Sequence, residues 1–92
     1  MSPEQKEQLE NEQIKGSAAE RVYNAYIKDF CEQKRMSLFM AFSNLPLTAE
    51  DQIMETKRML YAIDTLESEI VSEIDTGKMA SKALANVEET QH

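Results

Sequence analysis

Between Ser17 and Thr76 the chain contains no glycine and a single proline, Pro46. Proline removes a backbone donor, and its ring disfavours helical geometry at the residue before it, here Leu45. A long stretch with one such breaker near its middle has few ways to fold. Either it forms two rods joined at a corner, or it lacks the turns that any sheet architecture demands. The side-chain pattern selects the rods. Tyr23, Ile27 and Phe30, then Leu38, Ala41 and Phe42, follow one helical face beside Val22 and Tyr26, with Lys34 in the vacant slot. Lys34 can lay its methylenes along that face and keep its ammonium in water. Beyond the proline, Ile53, Met59, Leu60, Ile63, Leu66, Ile70 and Ile74 lie on one side. The steps 59, 63, 66, 70 alternate four and three, as in a coiled coil.

These spacings predict a helix from about 18 to 43 and a second from about 49 to 76, antiparallel across Leu45-Pro46-Leu47-Thr48. Thr48 is the expected N-cap, Glu50 and Asp51 suit the positive end of the helix dipole, and Leu47 is placed to staple onto Gln52 or Ile53. Thr76-Gly77 reads as a C-terminal stop, with Gly77 left-handed and Lys78 neutralising the helix end. A short last helix is expected from Lys78 to Asn86, with Met79, Ala83 and Leu84 apolar, and residues 87–92 as a loose tail. Upstream, Ser2-Pro3-Glu4-Gln5 is a helix start with a capping box, but residues 1–16 carry only Met1, Leu9 and Ile14 as large apolar groups. That segment is therefore expected to be weakly helical and to fray. Gly16 should end it, and Ser17-Ala18-Ala19-Glu20 should start the next helix. The fold class is all-α: residues 17–86 form a helical hairpin domain that includes the short C-terminal helix, preceded by the weakly helical segment 1–16 and followed by the tail 87–92.

Ten basic against seventeen acidic residues leave a net charge of −7. Phosphate backbones and anionic membranes repel such a chain on average, so neither is an expected partner. Two helices form one seam, yet Tyr26, Met36, Phe39, Met40, Met54 and Val71 fall outside it. Left wet, they would make a sticky stripe, so the hairpin is expected to associate with itself, most simply as a dimeric four-helix bundle. Phe39, Met40 and Phe42 near the corner are the expected contact set, since aromatic residues and Met are enriched in interface cores. Phe42 could alternatively pack under the proline turn.

Enzyme chemistry finds little footing. Cys31 has no histidine nearby in sequence and reads as a reduced structural thiol. His92, the single histidine, stands at the end without ligand partners. Glu67, Glu69, Glu73 and Asp75 lack the Glu-x-x-His pairs of di-metal bundles and read as a solvated face. Neither a phosphate-binding loop nor a dinucleotide motif is present, so no catalysis, cofactor or metal is expected. Lys34-Arg35 and Lys57-Arg58 stand equally far from Pro46, which would put a basic band on an acidic protein. The band either docks an acidic partner or a nucleic-acid phosphate (the use a DNA-packaging subunit would make of it) or is paired internally with Asp29, Glu32 and Glu55.

Ala19-Glu20, Leu38-Phe39-Met40-Ala41-Phe42, the proline turn, Leu60, Ala62-Ile63-Asp64 and Ile74-Asp75-Thr76-Gly77-Lys78-Met79-Ala80 occur together in residues 18–84. This pattern resembles small helical proteins encoded among the head and packaging genes of tailed bacteriophages. The resemblance implies a virion or assembly role in the bacterial host cytoplasm or the virion, with viral or host proteins as further partners. It brings no catalytic residues. The expected function is that of a non-enzymatic assembly protein acting as a homo-oligomer. An acidic inhibitor of a host nucleic-acid-binding protein and a small DNA-packaging subunit are the alternatives.

Overall fold

The computed structural model describes residues 1–90. Two helical rods run antiparallel. The first is continuous from Pro3 to Asn44 and comprises α1 (Pro3–Val22), a π-helical turn (Tyr23–Ile27) and α2 (Lys28–Asn44). The second is α3 (Glu50–Thr90), 41 residues without a break. The all-α hairpin expected from the sequence is the fold. Its rods are longer than the sequence pattern indicated, and the separate terminal helices are absorbed into them.

The first rod starts as the sequence dictates. Ser2 Oγ accepts from the Gln5 backbone N–H, and Gln5 Oε1 accepts from the Ser2 N–H, a complete capping box with Pro3 in the first turn. It ends at Leu45, whose extended backbone (φ −74°, ψ 135°) precedes Pro46 and whose N–H donates to the Phe42 carbonyl. The second rod begins one residue later than Thr48 capping would place it. The Ala49 carbonyl accepts the first helical bond, from Ile53, and Glu50 and Asp51 occupy the first turn. Leu47 is 91% exposed and makes no staple.

Neither glycine stops a helix. Gly16 and Gly77 both have ordinary negative φ and face one another in the middle of their rods. A Cβ on Gly16 would stand 2.6 Å from the Gly77 Cα, and one on Gly77 would stand 2.7 Å from the Gly16 Cα. Glycine lets two helix backbones touch, and the dispersion attraction between them offsets its poor helix propensity, about 1 kcal/mol per residue. The expected boundaries at 16–17 and 77–78 thus become the point of closest approach. For the same reason residues 3–16 are helical and lie along α3 although they carry few large apolar groups. Residues 78–90 simply continue α3, and Lys78 reaches across to Glu20 (3.8 Å) rather than capping a helix end. Of the tail, residues 87–90 are helical and residues 91–92 lie outside the described residues.

The rods lie closest along α1 and stand further apart along α2. The inward face of α3 follows 53, 56, 60, 63, 67, 70, 74, 77, 81 and 84, an unbroken alternation of three and four. On the first rod it follows 9, 12, 16, 19 and 23, then 27, 31 and 35, then 38 and 45. The steps of four after Tyr23 mark the π-helical turn, where the Lys28 N–H donates to the Tyr23 carbonyl five residues back. One extra residue is accommodated there, and the inward face downstream moves by one position. Cys31 and Arg35 therefore point inward where the simple period placed Phe30 and Lys34. Phe30 is 63% exposed, and Cys31 is buried.

Candidate interaction surface

Around the π-helical turn the inward face carries a hydrogen-bonded polar layer. Glu67, from the middle of α3, accepts from Arg35 Nη2 at 2.8 Å and from the Tyr23 hydroxyl at 3.3 Å. Arg35 Nε donates to Asp64 Oδ1 at 2.9 Å. Asp64 and Glu67, one helical turn apart, thus hold the guanidinium fork between them. The hydrogen bonds that Arg35 donates to Glu67 and Asp64 raise its pKa above the ordinary value. Cys31 sits beside this layer. Burial, then the negative charge of Glu67, pushes its thiol pKa up, and the Tyr23 phenol is raised in the same way. A thiol held protonated is a poor nucleophile, so the arrangement positions two helices and offers no activated sulfur.

The layer corrects two sequence expectations. Glu67 is turned into the hairpin rather than onto a solvated face, while Glu69, Glu73 and Asp75 are exposed. Arg35 is not a free member of a basic band, because its charge is matched by Asp64 and Glu67. Its partners differ from the Asp29, Glu32 and Glu55 set, since the π-helical turn rotates it toward α3. Arg58 stands 3.7 Å from Glu55, both exposed. Lys34 and Lys57 are exposed. Among the described residues no group of three or more His, Cys, Asp or Glu could hold a metal ion, and His92 lies outside them.

Outside the polar layer the dominant feature is uncovered apolar surface. Cys31, Ile74 and Ala80 are the buried hydrophobic residues among those described, against fifteen large apolar side chains that are exposed. The expected contact residues are all exposed. Phe39 and Met40 are 63% and 59% exposed, and Phe42 is exposed to a lesser degree, at 38%. Met36 and Phe39, on α2, line an open groove with Leu60 of α3, edged by Glu32, Arg35 and Asp64. Met59 and Leu66, assigned to the seam by the sequence pattern, are exposed, and the seam positions next to them are Leu60 and Glu67.

Among the described residues no helix is long and apolar enough to cross a membrane. No family model, curated protein or solved structure matches the chain.

Proposed function

We propose that this protein is a non-enzymatic assembly protein that works by docking its helical faces, first onto another copy of itself and then onto other viral or host proteins. The observation that carries this reading is the imbalance between three buried hydrophobic residues and fifteen exposed large ones. A 10.5 kDa chain folded compactly would expose about 5,400 Å², whereas this hairpin exposes 7367 Å². Burying a large apolar side chain contributes about 1.5–3 kcal/mol. A rod that leaves fifteen of them wet gains stability from every one that a partner covers. The likeness to proteins from phage head and packaging genes supports placing that docking in virion assembly. The pairing of Arg35 with acids of its own chain weighs against the DNA-packaging alternative, because it removes one of the four cations that reading needs.

Sedimentation equilibrium of the full chain tests the reading. A mass of twice the monomer or more at micromolar concentration is the expected result, and a monomer at every concentration refutes self-association. For the assembly role, the chain is expected in purified virions or in particles arrested during assembly. Its absence from both would refute that role.

A further inference from the structure

Resting on self-association as read above, the distribution of apolar groups and charge points to where the second copy binds. Eleven of the fifteen exposed large apolar side chains fall between Tyr26 and Leu66, the half of the hairpin next to the turn. The same stretch is almost neutral, with five basic and six acidic residues, while the rest of the chain carries five basic and eleven acidic. Adhesive surface and low self-repulsion coincide in that half. The opposite half has its backbones in contact at Gly16 and Gly77, so its two helices already cover each other. Along α2 the rods stand apart and leave the groove of Met36, Phe39 and Leu60 open.

We propose that a second copy of this chain seats its own turn-proximal half in this groove, with the two hairpins antiparallel and overlapping from about residue 26 to residue 66. A parallel arrangement would lay two strongly acidic halves side by side, roughly one Debye length of 8–10 Å apart. The antiparallel one sends them to opposite ends. It makes a four-helix core at the centre, with a charged two-helix arm projecting from each end. A standard interface buries about 800 Å² on each partner, and the surplus exposure of the lone hairpin exceeds that. The overlap covers about 32 Å of each 67 Å rod, so the dimer should measure about 100 Å.

Small-angle scattering and sedimentation of the full-length chain test this. The expected particle is a dimer with a maximum dimension near 100 Å. Phe39→Glu and, separately, Met40→Glu should raise the dissociation constant at least about tenfold. Ile14→Glu and Met79→Glu, at exposed sites in the acidic half, should leave it unchanged. Circular dichroism should show that each variant keeps its helix content. A dimer little longer than one hairpin, or one dissociated by Met79→Glu and not by Phe39→Glu, overturns the arrangement and leaves self-association standing. A monomer at all concentrations overturns both.

Discussion

Gly16 and Gly77 act through what they lack. Each would place a Cβ within 2.7 Å of the other's backbone, a distance no real Cβ tolerates, so alanine at either position must push the rods apart. Alanine is also the better helix former, by about 1 kcal/mol. Crowding a packed contact costs about 1–3 kcal/mol, so the two effects compete, with the clash expected to prevail because its partner is backbone that cannot rotate away. Gly16→Ala should therefore lower the thermal midpoint, and Gly77→Val should lower it further. A midpoint raised by Gly16→Ala would mean that helix propensity governs the site. Cys31 and Tyr23 give a second expectation. Their folded-state pKa values are raised, by burial and by Glu67, above ordinary values of 9.0 and 10.0. A group that binds its proton more tightly when folded stabilises the fold fully below the unfolded pKa. It loses that contribution as pH rises through the folded pKa. Stability should thus decline above about pH 9, and the decline should be shallower in Cys31→Ala and in Tyr23→Phe, measured as midpoint against pH.

At the scale of the element, the π-helical turn decides which residues meet α3. On α3 the apolar side is legible in the sequence at Ile53, Leu60, Ile63, Ile70 and Ile74, which face inward as expected. Met59 and Leu66, two of the four positions in the expected 59, 63, 66, 70 run, are exposed. On the first rod the same reasoning holds up to Tyr23 and Ile27 and then misplaces Phe30 and Lys34 by one position. A local shift to bonds spanning five residues leaves no composition signature. Its one trace is the run of fours from Tyr23 through Ile27 to Cys31 and Arg35, the last two being residues that a search for large apolar groups passes over. Asn24 lies exposed within the turn. Deleting it would restore a regular α-helix with steps of three, four and four across the junction, and the inward face would stay continuous. The deletion should leave helicity intact and change the midpoint little. Deleting Ser37, within regular helix, rotates everything downstream by about 100° and should be severely destabilising. Equal damage from both deletions would show that the turn does not absorb a residue.

As a whole the molecule is a rod, 67 × 22 × 15 Å, with a radius of gyration of 19.5 Å where a compact chain of this length would have about 12 Å. That shape follows from two uninterrupted helices, and it leaves most of each cylinder uncovered. Net charge of −7 opposes association, while the apolar half favours it, so salt should shift the balance. Raising ionic strength from low to physiological values is expected to tighten the dimer by screening the acidic arms. Sedimentation at two salt concentrations measures this, and weaker association in salt would place ion pairs rather than apolar contact at the interface.

Local sequence suffices to show that the chain is helical, where it reverses, how its first helix is capped and that Ile53, Leu60, Ile63, Ile70 and Ile74 share the inward side of α3. Each is set by neighbours within a turn or two: a proline against its preceding residue, a serine against a glutamine, apolar groups at a fixed period. What the glycines do, and which cations remain free, was decided by tertiary structure. Gly77 after Thr76 is locally a good helix stop. It becomes mid-helix because a distant backbone, at Gly16, comes close enough to compensate for it. Arg35 is locally a surface charge, and it is neutralised because Asp64 and Glu67, some thirty residues on, arrive beside it when the rods close.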